Sequence, residues 1–98
     1  MYTPVVIVSR HPGAVQWLRE DHASLLREDY KVIPQVDDPS LLGAAKCIGN
    51  LPMHLAARCL EYYAIEFRGA PPRGTECSAE DMRAAGACLR KYRVEEVV

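Results

Sequence analysis

The stretch Pro4-Val5-Val6-Ile7-Val8 constrains the fold more than any other part of the chain. Its four β-branched residues leave no polar face, so a strand made from them must be covered on both sides. That is the condition of a strand inside a parallel sheet. Ser9-Arg10-His11-Pro12-Gly13 ends the run, and Pro12 suits the first turn of a helix, where its missing N–H is not needed. Ala14, Val15, Trp17, Leu18, Leu25 and Leu26 then recur at helical spacing with charged residues between them, which predicts one long helix or a helix broken near His22. Trp17 reads as core. Residues 30–36 read as a second strand, and Pro34 inside it points to a sheet edge. Asp37-Asp38-Pro39-Ser40 is a turn or a short helix start.

The alternation continues. Residues 44–48 read as a third strand, stopped by Gly49-Asn50. Pro52 opens a helix carrying Leu55, Ala56, Cys59 and Leu60, and residues 63–67 form a fourth strand. Tyr62 and Tyr63 read as core. Residues 68–77, with Arg68, Arg73 and two prolines, read as a loop. Ser78 with an acid three residues on, Asp81, has the form of a capped helix start. That helix is expected to carry Met82, Ala85, Cys88, Leu89 and Tyr92 on one stripe. Residues 93–98 would add a short strand or contact a partner. A chain of 98 residues is one domain, spanning 1–98. Strands alternating with helices imply a small doubly wound α/β fold: a mainly parallel four-stranded sheet with helices on both faces.

Composition excludes several classes. Lys and Arg number 12 against 13 Asp and Glu, a net charge of −1, so the surface is not the broad basic face that duplex nucleic acid requires. No stretch approaches the ~20 apolar residues of a membrane span, and MYTPVVIVSRH has no basic segment ahead of its apolar run, so no secretory signal is expected. The expected location is the cytoplasm. Cys47, Cys59, Cys77 and Cys88 form neither a zinc knuckle nor a CxxC pair. Disulfides are not expected in that compartment. Three of these thiols lie in apolar runs and read as small buried side chains, with Cys77 more exposed. His11, His22 and His54 lack metal-ligand spacing, so no metal is expected, and His22 in its charged stretch reads as surface. There is no GxGxxG, P-loop or GxSxG, and no cofactor is expected.

In open α/β sheets, ligands bind outside the carboxyl ends of the strands where the strand order switches direction. That edge carries Ser9-Arg10-His11 after the first strand, Gly49 through His54 after the third, and Arg68 after the fourth. Backbone N–H groups at a helix start favour an anion, Arg10 adds a two-pronged phosphate donor, and His11 exchanges a proton near neutral pH. Equally, Ser9 could cap the helix while its neighbours dress a loop. Asn50 could cap a helix or hydrogen-bond a ribose or base. Gly49 fits either a close backbone approach or a plain turn. His54 faces the site or the core. Arg68 and Arg73 belong to a lid or to a solvated connector.

Val6-Ile7-Val8-Ser9-Arg10-His11-Pro12-Gly13-Ala14-Val15-Gln16-Trp17 resembles the opening of a small CRISPR-associated family of type III systems. Ile48-Gly49-Asn50-Leu51-Pro52-Met53-His54-Leu55-Ala56-Ala57 resembles its second motif, and Ser78-Ala79-Glu80-Asp81-Met82 is similar to its final helix start. The sequence departs from the family picture in a longer first helix and in Asn50, where a threonine is expected. The resemblance implies a Rossmann-like protein and a ring nuclease degrading cyclic oligoadenylate, chiefly cyclic tetra-adenylate. It implies metal-independent attack by a ribose 2′-hydroxyl, with Arg10 and His11 carrying the chemistry. Ser9, Gly49, Asn50, His54 and Arg68 would hold the ligand. A ring of two-fold symmetry suits a homodimer. The alternative from another class is a module that sequesters the ring without cutting it.

Overall fold

The β-branched run forms β1 (Val5–Val8) in the computed structural model, which describes residues 3–26, 30–69 and 78–98. Val5 and Ile7 enter one hydrophobic cluster, while Val6 and Val8 join the cluster on the other face of the sheet. The period of two along a strand therefore accounts for the unbroken apolar run.

Helix α1 (Pro12–Asp21) has proline at its start and buries Ala14, Val15, Trp17 and Leu18. Leu18 is wholly enclosed, so Leu18→Ala would cost about 2–5 kcal/mol. The helix stops at His22, whose N–H reaches the Leu18 carbonyl at 2.9 Å. The broken-helix alternative is the one formed, and α2 (Ala23–Leu26) follows as a single turn. His22 is half-buried and not the surface residue expected, because its ring meets Trp17 edge-on with centroids 4.8 Å apart. Strand β2 (Tyr30–Ile33) ends before Pro34 and lies at a sheet edge, as the proline required. Asp38 caps a 3-10 turn, Pro39–Leu42, its side chain accepting from Ser40 N at 3.1 Å.

Strand β3 (Lys46–Gly49) starts two residues later than the sequence suggested. The helix expected to reach Leu60 is a correction: α3 (Met53–Ala56) is one turn long. Leu60 N instead reaches the carbonyls of Ala45 (3.1 Å) and Leu42 (3.3 Å). Those bonds turn the chain into β4 (Glu61–Phe67), two residues earlier than expected, and leave the Leu60 side chain exposed.

Helix α4 (Ala79–Ala84) has the predicted capping box, with Ser78 Oγ accepting from Asp81 N and Asp81 Oδ2 accepting from Ser78 N. Its expected stripe does not continue. Gly86, at φ 76, reverses the chain, and β5 (Ala87–Tyr92) runs back antiparallel to β4. A Cβ on Gly86 would come within 3.0 Å of Arg68 Cβ, so the reversal needs glycine twice over. The tail after Tyr92 adds no strand, although Val94 packs against Ala56, Tyr62 and Ala64.

The result is a five-stranded sheet in the order β2-β1-β3-β4-β5, not a four-stranded one, with β1 to β4 parallel and β5 antiparallel at the edge. Helices α1 and α4 cover one face. The 3-10 turn and α3 cover the other, packing Leu42, Leu51 and Leu55 over Val6 and Cys47. Cys47 is buried, Cys59 and Cys88 are half-buried, and Cys77 lies outside the described residues. No helix among the described residues is long and apolar enough to cross a membrane.

Candidate functional site

The strand order fixes where a ligand crevice can form. After β1 the chain crosses to β2 on one side, and after β2 it crosses back over β1 to β3 on the other. The direction changes between β1 and β3, and loops leaving the carboxyl ends of two such strands diverge to opposite faces and leave a crevice between them. Val8 and Gly49 are directly paired at that edge. Ser9-Arg10-His11 and Gly49-Asn50 therefore start from neighbouring backbone positions.

The first loop is tightly organised. Ser9 N continues the ladder to Ile33 O at 2.9 Å. Ser9 Oγ accepts from His11 N at 3.1 Å, so the hydroxyl shapes the loop and is not the helix cap. His11 holds the cap position with extended backbone, and its carbonyl receives Ala14 N at 3.0 Å. Its imidazole is exposed. Arg10 donates to Gln35 Oε1 at 2.8 Å, and Gln35 in turn donates to Asp37 at 2.8 Å. The loop after β2 thus holds the Arg10 guanidinium, a contact that the sequence did not disclose. A groove of about 540 Å³ opens here, lined by Ser9, Arg10, His11, Gln16 and Arg19 with Val15, Val32 and the prolines. It holds two arginines and a histidine and no carboxylate. Arg19 is steadied by the Tyr30 hydroxyl and lies 5.5 Å from the centre of that ring.

The second loop is braced from below. Gly49 has φ 152, and a Cβ there would lie 2.5 Å from the Val8 carbonyl oxygen. Of the two readings of Gly49, the close backbone approach is the one present. The Tyr62 hydroxyl, buried beneath, donates to Gly49 O and accepts from Leu51 N, both at 3.0 Å. The Asn50 carboxamide is assigned with its nitrogen inward, the orientation that satisfies its surroundings and in which it donates to Ile65 O at 2.9 Å and Gly49 O at 3.2 Å. Tyr62 thus has a positioning role that its reading as core did not reveal. The only sequence signal was an aromatic hydroxyl in an apolar strand, which must find a partner when buried.

Not every expected residue lines the groove at Arg10 and His11. The groove beside the first loop does not include Gly49, Asn50, His54 or Arg68. His54 is exposed on α3, so it does not face the core. One turn of helix has little dipole, and the expected pair of helix starts reduces to that of α1. The β3–β4 pairing ends at Gly49 and Ala64. Arg68 is four residues further on, about 13 Å at the rise of a strand. It lines a separate groove with Cys88, Leu89 and Arg90 of β5. Arg73, the other half of the expected lid, lies outside the described residues. Among the described residues no cluster of three or more His, Cys, Asp or Glu side chains could hold a metal ion.

A family model described as "Putative CRISPR-associated protein (Cas_VVA1548)" covers residues 6–95. No curated protein and no solved structure matches the chain.

Proposed function

The chain belongs to a family of CRISPR-associated proteins, and from that membership we propose that it binds a cyclic oligoadenylate, chiefly cyclic tetra-adenylate, and opens the ring by phosphodiester cleavage. The observation that supports this reading is that the Ser9-Arg10-His11 and Gly49-Asn50 loops leave from the paired positions Val8 and Gly49 at the β1/β3 switch point. A ring of phosphodiesters needs a local anion cradle on a protein of net charge −1, and the acid-free groove at Arg10 and Arg19 supports that need.

The chemistry requires no metal. A ribose 2′-hydroxyl attacks the adjacent phosphorus, the 5′-oxygen leaves, and the products are a 2′,3′-cyclic phosphate and a 5′-hydroxyl. The protein aligns the nucleophile, offsets the phosphorane charge and moves one proton at each end. Arg10 and the Gly13 N–H at the start of α1 face the phosphate. His11 is the acid or base, a role worth roughly 10²–10⁴-fold in rate. Ser9 acts by shaping the loop that presents His11. Asn50, tied to β4 through its nitrogen, offers its carbonyl oxygen to a ribose hydroxyl. His54 is a second proton donor, and Arg68 contacts the outer part of a large ligand. A homodimer matches the two-fold symmetry of the ring.

The test is incubation with cyclic tetra-adenylate in EDTA, with products resolved by chromatography. Linear or cyclic-phosphate-ended fragments are expected. Intact ligand that stays bound would replace cleavage by sequestration. Absence of both cleavage and a thermal shift at saturating ring would remove the reading altogether, since a ligand at a hundredfold excess over Kd adds about 2.7 kcal/mol.

A further inference from the structure

Two thiols twelve positions apart in sequence are brought together beneath the second site loop. Cys47 sits on β3 beside Tyr62 of β4 and is wholly buried. The chain returns to the same place after α3, because Leu60 N and Glu61 N both reach the carbonyl of Ala45. Cys59, one residue earlier, therefore packs into the cluster formed by Val6, Leu42, Ala45 and Cys47. The two thiols lie close enough for each to shift the other's titration. Each also has a carbonyl within reach, Ala45 O for Cys47 and Leu55 O for Cys59. Their chemistry is unequal. Cys59 is half-buried, and the neighbouring Cys47 thiol favours its thiolate and pulls its pKa down. Cys47 is raised by the forming Cys59 thiolate and by burial. The more accessible thiol is thus the better nucleophile, which is the arrangement of an attacking and a resolving cysteine.

We propose that Cys47 and Cys59 are a peroxide-reactive dithiol whose oxidation to a disulfide staples the Gly49–His54 segment at both ends. The Cys59 thiolate attacks one oxygen of hydrogen peroxide, displacing hydroxide and giving Cys59 sulfenic acid. Cys47 sulfur then attacks the sulfenic sulfur, its proton and the hydroxyl leaving as water. The sum is two thiols and one peroxide to one disulfide and two waters. In a reducing compartment such a bond is transient and reports oxidation. The closed loop contains Gly49 and Asn50, so the bond restricts the segment that leaves β3 at the switch point. This inference stands on the thiol pair alone and holds whatever ligand the crevice takes.

The test uses the full chain under native conditions. It is treated with graded hydrogen peroxide, alkylated, digested and analysed by mass spectrometry. The expected product is a Cys47–Cys59 linked peptide that forms before any link involving Cys77 or Cys88 and disappears on reduction. Cys88→Ser should leave it unchanged, and Cys59→Ser should abolish it while Cys47 stays unmodified at the same dose. Hydrogen exchange of the Gly49–His54 amides should slow on oxidation and recover on reduction. Independent alkylation of both thiols after peroxide treatment would overturn the proposal, as would over-oxidation of Cys59 without a link, a preferred link to another cysteine, or unchanged exchange in the linked protein. Because Cys59 is half-buried, Cys59→Ser is expected to fold. Should it not fold, the linked-peptide yield and the exchange data on the parent chain decide alone.

Discussion

Replacing Tyr62 by phenylalanine removes one oxygen atom and keeps the ring. The ring packs against Ala56 and Ala64, and that packing is unchanged. What is lost is the bridge from Gly49 O to Leu51 N, two hydrogen bonds of 3.0 Å through a hydroxyl in a residue 7% exposed. Each bond contributes about 1 kcal/mol net, and a buried polar group left without a partner costs about 1–3 kcal/mol. Water reaches Leu51, which is half-buried, more readily than Gly49, which is buried. The expected loss is therefore about 2 kcal/mol. For a chain of this size, that lowers the Tm by roughly 8–16 °C. The assay is thermal and urea unfolding of Tyr62→Phe beside the parent, with ring binding measured well below either Tm. Binding should weaken there as well, because the second loop loses its brace while the protein stays folded. An unchanged Tm would refute the energetic reasoning. A lower Tm with unchanged binding would show that Tyr62 supports the fold and not the loop.

Other perturbations separate site from scaffold. His11→Ala should lower turnover by roughly 10²–10⁴-fold with little change in Tm, since the imidazole is exposed. Arg10→Ala should weaken ring binding as well, and parent-like cleavage by both variants would dismiss the assignment of Arg10 and His11. Gly49→Ala forces a Cβ to 2.5 Å from the Val8 carbonyl at a backbone angle side chains avoid, and should cost about 2–4 kcal/mol. A melting curve like that of the parent would contradict it. Arg83 ties α4 to α1 through Asp21 at 3.0 Å and through Glu20. Its guanidinium holds the Asp21 carboxyl below the usual range, and Gln16 together with Arg83 does the same for Glu20. A depressed carboxyl contributes stability above its unfolded pKa and loses it as pH falls through the folded value. The Tm gap between the parent and Arg83→Gln should thus be full at neutral pH and shrink below about pH 4. A gap that stays constant down to pH 2 would exclude the ion pairs as its source.

The parts of this fold legible in sequence are those fixed by local chemistry. Val5 to Val8 announced a strand covered on both faces, Pro12 a helix start, and Ser78 with Asp81 a capping box. β5 was hidden because Met82, Ala85, Leu89 and Tyr92 fit a helical stripe as well as they fit a helix, a reversal and a strand. Gly86 was the signal that decides between them, since glycine in the left-handed region ends a helix. α3 looked longer because Cys59 and Leu60 continue its spacing, while the carbonyls of Leu42 and Ala45, remote in sequence, claim the Leu60 N–H.

The same division holds at the candidate site. Ser9, Arg10, His11, Gly49 and Asn50 were singled out as candidates from strand ends and turn residues, a local signal. Their braces were not: Gln35 on Arg10 and Tyr62 under Gly49 depend on strand order and register, which no short window contains. The Cys47–Cys59 pair escaped for that reason too. Spacing rules look for thiols a few residues apart, and here the crossover through α3 brings them together.

The most direct measurement is a crystal structure of His11→Ala with cyclic tetra-adenylate bound. The account predicts phosphate oxygens against Arg10 and the Gly13 amide at the start of α1, with an adenosine reaching Asn50 beside Gly49. A ring seated instead in the groove of about 410 Å³ at the opposite end of β4, among Leu60, Lys91, Arg93 and Val94, would contradict it.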